Sequence, residues 1–137
     1  MKVNGSCLCQ SVKFSFEIKD KHFDACHCSM CRKWGGGPSL TVESIGSIEF
    51  EGKENITTYQ SSEWAERGFC NICGSHLFYR LKQHDFCNFN LGVIDDHEEF
   101  EFKSQIYIDS KPNNYSFSNK TKEMTEKEVL KAFGFSE

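Results

Sequence analysis

The stretch Ala25-Cys26-His27-Cys28-Ser29-Met30-Cys31-Arg32-Lys33-Trp34 packs three thiols into six residues, and two further thiol pairs, Cys7/Cys9 and Cys70/Cys73, flank it at a distance. Zinc held by thiolates takes four protein ligands where its role is structural, and three plus an open position where it does chemistry. Seven clustered cysteines therefore suit one site of each kind. The eighth, Cys87, stands apart in an apolar run.

Eight cysteines would also serve a disulfide framework in a secreted chain. Met1-Lys2-Val3-Asn4-Gly5 is not followed by the apolar region of a signal peptide, so the expected compartment is the cytoplasm, where such spacings read as metal ligands. At 137 residues the chain is expected to form a single domain over 1–137. A net charge of -4 with scattered Lys and Arg argues against a nucleic-acid partner. No run of about 18 apolar residues is present, so no membrane partner is expected. Thirteen Phe within a 38% hydrophobic composition predict a thin, phenylalanine-rich core.

Outward from the cysteines the pattern is that of strands. Ser11 to Ile18 alternates, with Val12, Phe14, Phe16 and Ile18 on one face. Further strand-like runs are Ser39 to Glu43, Ser47 to Glu51, Ile56 to Tyr59, His76 to Leu81, Phe86 to Leu91 and Phe100 to Ile108, bounded by Gly, Asn or Asp. Gly35-Gly36-Gly37-Pro38 reads as a loop whose glycines allow close backbone approach. Ser110 to Lys122 is polar enough for a mobile loop. Only the end reads as helix: Thr125 and Glu128 form a capping box, Val129, Leu130 and Phe133 share a face, and Gly134 closes it. The expected fold class is all-β with a short C-terminal helix.

Cys7 and Cys9 sit two apart in extended chain, so both thiols point the same way and can share an ion. Cys70-Asn71-Ile72-Cys73-Gly74 is a knuckle in which Gly74 admits the tight turn. By spacing alone, its partner pair is either Cys7/Cys9 or Cys28/Cys31. The first choice leaves Cys26, Cys28 and Cys31 intact as a three-ligand set.

Several runs together carry a family likeness: Gly5-Ser6-Cys7-Leu8-Cys9 with Val12 and Phe14, Cys26-His27-Cys28-Ser29-Met30-Cys31-Arg32, Gly36-Gly37-Pro38, Tyr59-Gln60-Ser61-Ser62, Arg67 to Ser75, Leu77-Phe78, Gly92-Val93-Ile94-Asp95 and Ser110-Lys111. On these residues the chain resembles the glutathione-dependent formaldehyde-activating enzyme (Gfa) family, to which centromere protein V also belongs. The resemblance implies a tent-like arrangement of small antiparallel sheets with two zinc ions. It assigns the structural ion to Cys7, Cys9, Cys70 and Cys73 and the catalytic one to Cys26, Cys28 and Cys31. The chain departs from the family pattern at Gln10, where glycine is usual, at Gln105, where histidine is usual, and at Asn114 or Tyr115, where tryptophan is usual.

Three thiolates leave a divalent zinc with a net charge near -1, which suits a soft anionic fourth ligand better than activated water. The expected activity is a zinc-dependent carbon-sulfur lyase that binds glutathione or a related thiol and makes or breaks an aldehyde-thiol adduct. The alternative is a non-catalytic zinc-stabilised binding module. Arg32 and Lys33 follow the last thiol and are candidates to hold substrate carboxylates, and Ser62 is a further candidate contact; each is equally readable as a turn residue. His27 faces away from Cys26 and Cys28 by the period-two rule, so a core or solvent role is expected rather than ligation. Cys87 reads as a small buried hydrophobe, or else completes the second site. Arg67 is expected to pair with a carboxylate, and His22, His76, His84 and His97 to lie at the surface.

Overall fold

A computed structural model describes residues 1–84 and 87–134. In chain order it contains β1 (Lys2–Ser6), β2 (Lys13–Glu17), β3 (His22–Cys26), α1 (Ser29–Gly35), β4 (Ser39–Glu43), β5 (Ile45–Glu51), β6 (Ile56–Tyr59), β7 (Ala65–Cys70), β8 (His76–Leu81), β9 (Cys87–Asn90), β10 (Glu101–Ile106), β11 (Lys122–Met124) and α2 (Glu126–Ala132). Strands dominate, as the sequence predicts. The chain divides into two compact units, one from 1–21 and 41–100, the other from 22–40 and 101–137.

In the first unit β2 lies between β1 and β5, both antiparallel to it, with Phe14 opposite Gly5 on one side and Phe50 on the other. Antiparallel pairing also joins β9 to β4 through Thr41–Glu43, β9 to β8, β8 to β7 and β7 to β6. The alternation of β2 does what it predicts: Val12, Phe14, Phe16 and Ile18 are all buried. Phe16 and Phe14 stack on Phe89 with ring centroids 4.4 and 4.6 Å apart, and Phe78 closes the cluster 5.6 Å from Phe89. Each such pair adds about 0.5–1.5 kcal/mol beyond its buried area, which is how a chain with few aliphatic residues builds a core. The strand expected from Phe86 to Leu91 is described over Cys87–Asn90; Phe86 lies outside the described residues.

The second unit differs in the direction of strand pairing. Here β10 runs parallel to both β3 and β11, so the expected antiparallel pairing is joined by a parallel part. Parallel neighbours require a crossover of a dozen or more residues, and the long connections between these strands supply it. Phe23 stacks on Phe102 at 4.9 Å, and Phe117 packs edge-on against Phe102 at 5.1 Å. The 110–122 stretch, expected to be mobile, is anchored by Phe117 against Phe102 and by Tyr115, whose hydroxyl lies 2.8 Å from His27 Nδ1. In α2 the capping box forms, with Thr125 Oγ1 accepting from the Glu128 N–H at 3.2 Å and Glu128 Oε1 from the Thr125 N–H at 3.0 Å. Its apolar face is shorter than expected, since Val129 is buried while Phe133, at the C-cap, is exposed.

Candidate metal centres

The first unit brings Cys7, Cys9, Cys70 and Cys73 together with all four sulfurs within 4.8 Å of one another. Cys7 and Cys9 sit in the turn after β1, where the Cys7 N–H donates to the Val12 carbonyl at 3.0 Å and the Gln10 N–H to the Cys7 carbonyl at 3.1 Å. Gln10 reaches φ 64° to close that turn, the left-handed region glycine enters without a Cβ penalty. Cys70 ends β7, and Gly74, at φ 80°, returns its N–H to the Cys70 carbonyl at 2.8 Å. The two turns lock together through Leu8, whose N–H donates to Ser75 Oγ at 3.0 Å.

These thiols are not equivalent. Cys7 is enclosed, and burial pushes its thiol up to about 11. The Ser75 hydroxyl, 3.2 Å from Cys73 Sγ, with the Ser75 backbone, holds Cys73 down to about 5. Ser11 lowers Cys9 in the same way from 3.3 Å. Serine two residues after the outer cysteine of each pair thus places a hydroxyl within hydrogen-bond reach of its sulfur, a repeated feature that the C-x-C and C-x-x-C spacings alone do not reveal.

The second unit gathers Cys26, Cys28 and Cys31 under the same 4.8 Å limit. Cys26 ends β3. Cys28 is the N-cap of α1, and its sulfur accepts the Cys31 N–H at 3.4 Å. Cys28 and Cys31 beside it, followed by burial, push the Cys26 thiol upward. The helix has only seven residues and stops at Gly36, φ 90°. A Cβ on Gly35, Gly36 or Gly37 would meet nothing within 4 Å; Gly36 supplies the left-handed cap of the helix. Neither cluster includes His27 or Cys87 among the described residues. Both donor sets are sulfur alone, and each can hold a metal ion.

Beside the second cluster lies a cavity of about 530 Å³, lined among others by Ser29, Arg32, Lys33, Pro38, Asn114 and Tyr115. Arg32 is half-buried and its Nε donates to the His27 carbonyl at 2.9 Å, whereas Lys33 is exposed. Ser62 lies instead in the turn before β7 of the first unit, its N–H 3.4 Å from the Ala65 carbonyl, and is not among the residues lining this cavity. Arg67 is buried with its guanidinium 5.0 Å above the Tyr79 ring. Cys87 is buried and its thiol is raised to about 11 by burial, the behaviour of a core thiol. His22, His76, His84 and His97 are half-buried rather than fully exposed.

His27 is completely buried. Its Nε2 lies 2.8 Å from Gln105 Oε1 and its Nδ1 2.8 Å from the Tyr115 hydroxyl. Burial first, then Lys111 and Arg32, hold it below the ordinary histidine range against an opposing push from Gln105. Sequence reading missed this arrangement because the partners are 78 and 88 residues away. The available signal was that Gln105 and Tyr115 fall at two positions where the chain departs from the family pattern.

The fold is thus an all-β framework carrying one four-thiol and one three-thiol cluster, each able to hold a metal ion. The model of the glutathione-dependent formaldehyde-activating enzyme family matches residues 2–110, and the chain belongs to that family. It is 33% identical over 129 residues to a Schizosaccharomyces pombe protein described as an uncharacterized lyase, covering 93% of this chain and 94% of that one. It is 32% identical over 87 residues to a Halomonas elongata protein named as a candidate glutathione-dependent formaldehyde-activating enzyme, covering 57% of this chain and 55% of that one. A crystal structure of a Rhodobacter sphaeroides protein shares the fold, with a TM-score of 0.59 at 23% identity over 68% of this chain and 88% of that one.

Proposed function

We propose that residues 1–137 act as one zinc-dependent carbon-sulfur lyase domain, binding a thiol such as glutathione and making or breaking its adduct with an aldehyde. The observation that carries this reading is the three-thiol cluster with a cation-lined cavity beside it. Cys7, Cys9, Cys70 and Cys73 would hold a structural zinc, and Cys26, Cys28 and Cys31 a second zinc with a free position. When bound, the second ion would lower the pKa of a thiol placed on it and orient that thiol.

The chain's own residues account for the rest. Arg32 and Lys33 present positive charge to the carboxylates of an acidic thiol. Pro38 and Tyr115 give the cavity apolar wall that limits water around a carbonyl partner. In the forward direction the thiol sulfur bonds to the aldehyde carbon, the carbonyl π bond opens, and the oxygen takes the thiol's proton; the reverse breaks the carbon-sulfur bond and returns both partners. The names of the two relatives, one a lyase and one a formaldehyde-activating enzyme, support this class of reaction.

Titration calorimetry of the zinc-loaded protein tests it. A free thiol has a pKa of about 8.5, so at neutral pH glutathione binding should release close to one proton, counted from buffers of different ionisation enthalpy. S-methylglutathione keeps both carboxylates but has no thiol proton, and should bind far more weakly. Equal binding of the two would sink the lyase reading and leave a binding module.

A further inference from the structure

β6 is an outer strand of the first unit: among the described residues it pairs with β7 alone, over Ile56–Tyr59. A bare sheet edge is a template for another strand, and natural sheets blunt such edges with charge, bulges or cover. Other outer strands of this chain are blunted in that way. Lys2 stands in β1, whose outer side is bridged through Gly5 to Ile94; β5 carries Glu49 and Glu51, and β11 carries Lys122 and Glu123. β6 reads Ile-Thr-Thr-Tyr, holds no charge, and has Thr57, Thr58 and Tyr59 exposed.

One bond fixes which backbone groups of β6 face outward. The Asn71 N–H donates to the Asn55 carbonyl at 2.8 Å, and opposite residues of an antiparallel pair alternate between bonded and non-bonded positions. Counting on from Asn55, Thr57 and Tyr59 stand at bonded positions opposite Phe69 and Arg67 and turn their N–H and C=O groups to β7. Ile56 and Thr58 therefore turn theirs away from β7.

We propose that this edge takes β6 of a second copy of the chain, paired antiparallel about a twofold axis through Thr57. With Thr57 opposite Thr57, Ile56 of each copy lies opposite Thr58 of the other, and the outward N–H and C=O groups of both residues are all used. Charge selects this arrangement. Lys53 precedes β6 and Glu63 follows it, both exposed, so antiparallel pairing brings the Lys53 end of one copy to the Glu63 end of the other. Parallel in-register stacking would set Lys53 on Lys53 and Glu63 on Glu63. Across the axis, Thr57 meets Thr57 with Tyr59 diagonal to it on the same face, and Thr–Thr and aromatic–β-branched pairs are among those that stabilise sheets. A twofold contact consumes the edge in both copies, so association closes at the dimer. The inference stands apart from the thiol reading, because β6 contributes no residue to either cysteine cluster.

Sedimentation velocity of the zinc-loaded full chain, from micromolar to millimolar concentration, tests it. A monomer–dimer equilibrium is expected. Thr58→Pro removes an N–H that β7 does not use, and proline is tolerated on an edge strand where its nitrogen faces outward, so the melting transition should remain. The dimer dissociation constant should rise about tenfold or more, since two interstrand bonds are lost per dimer. Thr57→Asp and Thr57→Lys each set like charges opposite one another across the axis. Each alone should sediment as a monomer where the unmodified chain is a dimer, and an equimolar mixture should recover the dimer, which only an axis through residue 57 predicts. Thr57 is exposed, so this pair of variants decides the matter even if Thr58→Pro folds poorly. Amide hydrogen exchange adds a second readout: protection at Ile56 and Thr58 should rise with protein concentration while Thr57 and Tyr59 stay unchanged. A monomer at every concentration overturns the proposal, as does a dimer that Thr58→Pro and Thr57→Asp leave intact. Protection of Ile56 and Thr58 that is independent of concentration would put another segment of the same chain on the edge and overturn it as well.

Discussion

The two cysteine clusters use the same side chain at the same sulfur-to-sulfur range and differ in how much chain they close. Cys9 and Cys70, 61 residues apart, approach to 3.8 Å, so an ion there ties two distant turns together. Cys26, Cys28 and Cys31 sit at the junction of one strand and one helix, and an ion there closes a loop the local backbone has already formed. Each doubling of loop length adds about 0.6 kcal/mol of closure entropy. Between a span of 5 residues and one of 61, that is between three and four doublings, or about 2 kcal/mol more cross-linking work for the first cluster. Stability should therefore depend on the four-thiol set, and the three-thiol set is free to serve a ligand.

The most severe way to break this contrast is Cys70→Ser. Cys70 is fully buried at the end of β7, and losing one ligand of a closed site removes several kcal/mol of the ~10–16 that structural zinc supplies. The variant should be insoluble or lack a cooperative melt in circular dichroism. Soluble Cys70→Ser protein that melts cooperatively with full zinc content contradicts the assignment. Cys28→Ser should do much less. It should lose one equivalent of metal by elemental analysis and keep its far-ultraviolet spectrum, since a serine hydroxyl at that N-cap can still accept the Cys31 N–H. Loss of both ions together would mean the seven thiols are shared differently.

A finer comparison uses the two glycines that end the cysteine turns. Gly74 and Gly36 have φ of 80° and 90°, and a Cβ at either would meet nothing within 4 Å. Alanine therefore costs only the left-handed backbone, about 1–2 kcal/mol at each. Both variants should melt a few degrees lower. They should differ in metal retention: Gly74→Ala loosens the knuckle that closes on the Cys70 carbonyl, so a competing chelator should strip its first ion faster, while Gly36→Ala acts beyond the last thiol and should leave both metal loads intact. Equal retention would show that the knuckle turn does not position Cys73.

How far the sequence could be read follows from how local each signal was. The period-two run of β2 was legible because one face is apolar and the other polar. β7 was not, because Glu66, Arg67 and Gly68 interrupt its pattern although Arg67 and Gly68 are both buried. β3, His-Phe-Asp-Ala-Cys, mixes partly buried polar and apolar residues, and α1 is too short to show a helical period. Every thiol of both clusters was identifiable from spacing, yet spacing left open whether Cys70 and Cys73 pair with Cys7 and Cys9 or with Cys28 and Cys31. The fold brings the first set together. The reading of His27 as facing away from Cys26 and Cys28 agrees with its absence from the thiol cluster, but where it does point depends on Gln105 and Tyr115, which no local pattern connects to it.

The smallest effect is also the most discriminating about what the second cluster's surroundings contribute. Lys33 is exposed, and an exposed charge pair is worth about 0–1 kcal/mol, so Lys33→Ala should weaken glutathione binding by no more than about fivefold. Arg32→Ala should cost more, because Arg32 is half-buried and also supports the His27 carbonyl. Salt separates the charge contribution from the thiol contribution. The screening length falls from about 10 Å at 0.1 M to about 3 Å at 1 M, so the Lys33→Ala deficit should vanish at 1 M sodium chloride. The preference for glutathione over S-methylglutathione comes from the sulfur and should persist there. If high salt erases that preference as well, both discriminations are electrostatic, and the three-thiol cluster is then a second structural site rather than the place where the thiol binds.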